Sequence, residues 1–162
     1  MSATDDLVNN NAAYAAGFTK GRLPAPPAKG VAVLACMDAR LDPARVLGLE
    51  EGDAHVIRNA GGVVTDDAIR SLVISQRLLG TTEIVLIHHT GCGMTTFKDD
   101  AVKDDIEADT GIRPGFALEA FADADADVRQ SIARLKASPF LNAGAVRGFV
   151  YQVETGLLRE VY

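Results

Sequence analysis

The chain has 162 residues, long enough for one domain with one sizeable core, and its 48% hydrophobic and 23% charged content is ordinary for a globular protein. With 16 Lys and Arg against 22 Asp and Glu, the formal net charge is −6 and the bases are scattered, which argues against a nucleic-acid surface. The acidic, polar start MSATDDLVNN lacks the pattern of a secretory signal, and no apolar run approaches the roughly 18 residues of a membrane span, so a cytoplasmic protein without membrane attachment is expected.

DDLVNNNAAYAAGF (5–18) reads as a short helix, weakened by its asparagines and ended by Gly17. GRLPAPPAKG (21–30) is an extended connector, so residues 1–29 form an arm ahead of a core at 30–162, together one domain. An arm carrying Leu7, Val8 and Tyr14 has apolar surface to bury, and a second subunit is one place for it. VAVLAC (31–36) is a continuous apolar run and predicts a buried strand. DPARVLGL (42–49) predicts a short helix with Asp42 as N-cap and Pro43 in its first turn.

AHVIRN (54–59) is a second strand. Thr65 caps a helix whose stripe is Ile69, Leu72, Val73, Gln76 and Leu79, with Gly80 placed as its C-terminal cap. EIVLIHH (83–89) is a third buried strand. A polar helix follows over 95–109 and a loop over 110–122. DADADVRQSIARLKA (123–137) is a stronger helix, acidic first and basic last, stopped by Pro139. VRGFVYQV (146–153) is a fourth strand, and a Thr155–Gly156 turn returns the chain as an edge strand. The alternation predicts an α/β fold: a mostly parallel sheet of four strands plus an antiparallel edge strand, flanked by helices, with an N-terminal helical arm.

Ligands of such sheets gather beyond the carboxyl ends of the strands. Cys36 closes the first strand, His89 closes the third, and Cys92 follows in a glycine-rich turn. If those strands are neighbours, two thiolates and an imidazole converge, a zinc donor set with one position left for solvent. Cys36 alone also reads as a small buried hydrophobe, and a Cys36–Cys92 disulfide is the competing pairing; a reducing compartment disfavours the latter. Alternation sends His88 and His89 to opposite faces, and H-x-x-C favours His89, leaving His88 as an interior histidine or the alternative ligand. Asp38 and Arg40 point the same way if extended. They read as a surface ion pair, as a carboxylate that occupies the fourth zinc position, or as a bidentate fork whose carboxylate accepts a hydrogen bond from zinc-bound water.

CMDAR (36–40), VIRNAGG (56–62) and HHTGCG (88–93), in that order, resemble the signature segments of the β-class carbonic anhydrases. The resemblance covers roughly residues 28 to 155, with a similar N-terminal helical arm. It implies Cys36, His89 and Cys92 as ligands of one Zn2+ per subunit. Asp38 and Arg40 become a gating dyad, with Asp38 as fourth ligand in a closed state. It implies reversible hydration of carbon dioxide to bicarbonate and a proton by a zinc-bound hydroxide. It also implies a homodimer or homotetramer with the arm around a partner. Some members carry an aromatic residue three places before the first ligand, in a regulatory bicarbonate site; here that place is Val33, a departure from the pattern. Asn59, Ala60, Gly61 and Gly93 are expected to line a small substrate pocket. Arg58 is either structural or an anion holder, and His55 reads as a strand-surface histidine rather than a proton shuttle.

The nearest rival is hydrolysis of carbonyl sulfide or carbon disulfide, since the resembling family includes such enzymes with the same ligands and dyad. A non-catalytic zinc module predicts a site closed permanently by Asp38, for which Arg40 is superfluous. A thiol redox protein ranks last, because C-x-x-C spacing is absent.

Overall fold

VAVLAC forms β1 (Val31–Cys36), whose last five residues are buried, and EIVLIHH forms β3 (Glu83–His89) beside it. Continuous apolar runs suit strands covered on both faces. The structure, a computed structural model, describes residues 2–162. β2 (Ala54–Asn59) lies on the far side of β1, β4 (Val146–Tyr151) lies beside β3, and β5 (Leu158–Val161) closes the edge, giving the order β2-β1-β3-β4-β5. The first four strands are parallel and β5 is antiparallel to β4, the mixed α/β arrangement expected from the sequence.

Parallel neighbours require crossovers. α2 (Pro43–Leu47) joins β1 to β2, α3 (Asp66–Arg77) joins β2 to β3, and α4 (Asp99–Thr110) with α5 (Ala124–Ala137) joins β3 to β4. One face of the sheet packs Ala32, Leu34, Ile84 and Leu86 against Ala68 and Leu72 of α3 and Leu135 of α5. The other packs Val33, Ala35 and Ile87 against Leu41, Met94, Phe121 and α2. Gly148 of β4 lets α5 approach: a Cβ there would stand 2.3 Å from Val128 Cγ1.

Asp42, Thr65 and Asp123 cap α2, α3 and α5 through their side chains, the first two as the sequence predicts. Several boundaries differ from expectation: α2 ends at Leu47 and β4 at Tyr151, each two residues early. α1 (Ala3–Ala16) begins earlier than residue 5 because Ser2 and Asp5 form a capping box. α3 ends at Arg77, and Gly80 serves the exit turn at φ +75°. α4 starts only at Asp99. Thr95 and Thr96 hydroxyls donate to the Cys92 and Gly93 carbonyls, holding a 3-10 turn (Gly93–Thr95) in place of a helical start.

The buried face of α3 is Ala68, Leu72 and Ser75, rotated from the predicted stripe. Ser75 is inside because its hydroxyl bonds both His55 Nδ1 and Thr81 Oγ1, each at 2.7 Å. Gln76, the polar lapse, bonds the backbone of Asn142 in both directions. No described helix is long and apolar enough to cross a membrane.

Candidate metal centre

The carboxyl ends of β1 and β3 carry Cys36 and His89, and the turn after β3 returns Cys92 to them. One ligand atom from each of the three residues lies within 4.8 Å of the others. The residues are 4%, 1% and 3% exposed for Cys36, His89 and Cys92 respectively. The sulfurs are 4.0 Å apart and both cysteines are free, so the disulfide reading fails on geometry. His89, not His88, joins the cluster, as alternation and the H-x-x-C spacing favour.

The hydrogen bond from His89 Nδ1 to the Thr90 carbonyl, 2.9 Å, places the ring proton on Nδ1. His89 Nε2 is buried without a hydrogen-bond partner, 3.6 Å from Asp38 Oδ2. A buried acceptor left open beside two thiols is what a metal-ligating imidazole presents. Burial raises the Cys36 thiol, but the His89 imidazole beside it and the backbone N–H groups of Asp38 and Gly61 outweigh this and lower it to about 7. Burial and then the Cys36 charge push Cys92 up to about 11. Two thiolates this close repel, and a divalent cation between them removes the repulsion. Two sulfurs and one imidazole nitrogen fit zinc, with its borderline-soft preference and three-ligand catalytic sites.

Asp38 and Arg40 form the fork. Arg40 Nε donates to Asp38 Oδ1 at 2.9 Å and Nη2 to Oδ2 at 2.7 Å, while the Arg40 backbone N–H donates to Oδ1 at 2.9 Å. The Arg40 guanidinium, then its backbone N–H, hold the Asp38 carboxyl well below the usual carboxylate range. Arg40 Nη2 also donates to the Gly91 carbonyl at 3.1 Å, so the dyad is tied to the turn that carries Cys92.

Asn59 pairs in register with Cys36, and the turn Ala60–Gly62 folds over the strand ends. Gly61 is enclosed: a Cβ would meet Met94 Cγ and Phe121 Cε1 at 3.1 Å. At Gly93 a Cβ would meet nothing within 4 Å, so close packing does not require a glycine there. An apolar groove of about 490 Å³ lies elsewhere, lined by Ile69, Val73, Ile74 and Phe140 among others. It carries no convergent polar chemistry, and we place the candidate site at the strand ends instead.

His88 lies on the opposite face from His89, with Nε2 2.7 Å from Asp127 Oδ2 and its ring 5.3 Å from that of Phe121. Its Nδ1 has no partner, so it is an interior histidine satisfied on one side only. His55 pairs with Ala32, four register steps before the Cys36–Asn59 pair, and is engaged by Ser75. Arg58 donates to three backbone carbonyls. A tight glycine turn in RNAGG accounts for Gly62 in the sequence without its close approach to β1 and β3, and Asp127 is 39 residues from its histidine, too far for any local pattern to pair them.

A family profile described as "Carbonic anhydrase" matches residues 31–158. "Beta-carbonic anhydrase 1" of Mycobacterium tuberculosis is 60% identical over 162 residues, covering 99% of each chain. A crystal structure of carbonic anhydrase from Streptococcus mutans superposes with a TM-score of 0.94 at 44% identity, covering 100% of this chain and 99% of that one. "Carbon disulfide hydrolase" of Acidithiobacillus thiooxidans is 36% identical over 149 residues, covering 78% of this chain and 74% of that one.

Proposed function

Because the chain belongs to the β-class carbonic anhydrase family, we propose that it catalyses the zinc-dependent, reversible hydration of carbon dioxide to bicarbonate and a proton. The observation that carries this reading is the convergence of Cys36, His89 and Cys92 beside an intact Asp38–Arg40 fork. Zinc held by those three residues would act as a Lewis acid and lower the pKa of water at the site.

The remaining work falls to the chain itself. Thr90 fixes the His89 ring so that Nε2, not Nδ1, faces the site. Arg40 holds Asp38 ionised, so the carboxylate can only accept hydrogen bonds. A carboxylate so placed orients a water by one of its protons, leaving a lone pair free for the electrophilic carbon. Released by Arg40, the same carboxylate is an oxygen donor beside the cluster and would close the site. We assign Asn59, Ala60 and Gly61 to the wall of the small substrate pocket. Gly93, open to space, joins them at its rim. The arm's exposed apolar residues support a homodimer or homotetramer.

A second reading, hydrolysis of carbon disulfide or carbonyl sulfide on the same residues, is favoured by the 36% identical relative. Stopped-flow assays of zinc-loaded and chelator-stripped protein decide between them. The expected result is rapid carbon dioxide hydration that disappears on stripping and returns with zinc, with slower turnover of the sulfur substrates. Faster turnover of carbon disulfide or carbonyl sulfide than of carbon dioxide would select the second reading.

A further inference from the structure

The segment between β1 and α2, residues 37–41, lies outside regular secondary structure yet carries Asp38 and Arg40. Backbone bonds hold it at two points: Met37 N–H donates to the Asn59 carbonyl at 2.8 Å, and Leu41 N–H donates to the Asp38 carbonyl at 3.0 Å. The carbonyls of Cys36, Asp38 and Leu41 turn toward one point. Their partial negative charges repel, so such a convergence needs a cation or donors at its centre.

Arg58, on the neighbouring strand β2, supplies both. Its Nε donates to the Cys36 carbonyl at 3.0 Å. Its Nη2 is 2.8 Å from each of the Cys36, Asp38 and Leu41 carbonyls. Among the described residues no carboxylate lies within ion-pair distance of Arg58, in contrast to Arg40, Arg113, Arg147 and Arg159. Its charge is therefore committed to the loop. We infer that Arg58 is a positioning residue for the Asp38–Arg40 pair: its guanidinium gathers the carbonyls that fix the loop presenting that pair to the cluster. This rests on the zinc hydratase reading for its effect on turnover, but not for its effect on the loop.

The chemistry is specific to arginine. A planar fork reaches several carbonyls at once, whereas a lysine ammonium is a point charge. Hydrogen bonds from a charged donor are roughly twice as strong as neutral ones. Arg58 also comes from a strand whose register against β1 is fixed, with Ala35 opposite Arg58 and Cys36 opposite Asn59. The loop is thereby referenced to the same sheet that places the ligands. Arg58 reaches Cys36 only at its backbone carbonyl and makes no hydrogen bond to Cys36 Sγ, His89 or Cys92, so its replacement takes away no donor of the cluster.

The test uses the full-length zinc-loaded protein with Arg58→Gln, Arg58→Lys, Arg40→Gln and the Arg58→Gln/Arg40→Gln double variant. Three quantities are read: zinc per chain, amide hydrogen exchange of segment 37–41 by mass spectrometry, and kcat with KM for carbon dioxide. The expected result for Arg58→Gln is retained zinc, exchange at least about tenfold faster in that segment, and kcat at least about tenfold lower with little change in KM. Arg58→Lys falls between it and the native protein. The double variant is no slower than Arg40→Gln alone, because both changes remove the same function. Exchange unchanged from native in both Arg58 variants overturns the inference, as does an Arg58→Gln loss that multiplies with that of Arg40→Gln. Should the native zinc protein fail to hydrate carbon dioxide, the catalytic reading falls while the exchange measurement still decides the role of Arg58. Should Arg58→Gln not fold, the Arg58→Lys exchange comparison decides it.

Discussion

Gly62 occupies the point where β1, β3 and the turn after β2 meet. A Cβ there would stand 2.8 Å from Cys36 N, 2.9 Å from the Ile87 carbonyl oxygen and 3.0 Å from the Ala35 carbonyl carbon, and its φ is +70°. All three obstacles are backbone, so relief means parting the strands that carry Cys36 and His89. Gly62→Ala is expected to destabilise the fold by about 2–4 kcal/mol and to lower zinc occupancy together with it. Denaturant midpoints and metal analysis on the same preparations check this. Arg40→Ala is expected to behave differently: zinc is kept, while kcat falls by about a hundredfold, because the carboxylate loses the group that aims it. Steady-state kinetics alongside zinc analysis separate the two outcomes. The Cys36–His89–Cys92 cluster is legible only in combination: Cys36 alone reads as a small buried hydrophobe, whereas Cys92 between two glycines after H-x-x is harder to explain as core. The supports are not. Nothing local in RNAGG says that Arg58 reaches back to three carbonyls, and His88 finds Asp127 only when α5 packs on β3 and β4.

Among the elements, strands were read most faithfully, because apolar runs of β-branched residues bounded by Gly, Pro or Asp leave little choice. Helix starts are legible at Asp42 and Thr65, where a side-chain cap stands out in the sequence, and at 123–137 from its acidic first turn, but not at Ser2. The start of α4 departs from the expected residue 95 because Thr95 and Thr96 satisfy backbone carbonyls locally, competition that helical periodicity does not reveal. α4 has a second role at its first residue. The Asp99 carboxylate accepts N–H groups of Leu118 at 2.8 Å, Glu119 at 3.1 Å and Ala120 at 2.9 Å, pinning the loop that delivers Phe121 to Gly61 and His88. The Ala120 N–H foremost, then those of Leu118 and Glu119, outweigh burial and hold the Asp99 carboxyl below its ordinary value. A lowered folded-state pKa means stability that is present above the unfolded value of about 3.9 and is lost as pH falls through the folded value. The native protein should therefore be more stable than Asp99→Asn at pH 6, and the gap should narrow below about pH 4. Melting temperatures of both proteins across that range test it; a gap that is constant with pH contradicts the assignment.

At the scale of the whole molecule, the chain leaves an arm without cover. No residue of α1 is buried, and Leu7 and Val8 are 71% and 65% exposed. α1 meets the body through the Tyr14 hydroxyl on Glu51, and Lys20 beyond it bridges Glu50 and Glu51 at 3.1 Å each. The composition of the arm calls for cover, with a second subunit as one place for it, and the described residues of its own core supply none. Removing residues 1–17 should leave the sheet folded while weakening self-association. Light scattering with circular dichroism reads both, and undiminished association without the arm contradicts the proposed homodimer or homotetramer.

The proposed hydration requires that Cys36, His89 and Cys92 share one zinc ion. X-ray absorption at the zinc edge, on protein of known metal content and activity, measures this most directly. The expected result is about one zinc per chain with two sulfur neighbours near 2.3 Å and a nitrogen near 2.0–2.1 Å. Full activity without zinc, or a zinc shell lacking two sulfurs, would contradict it.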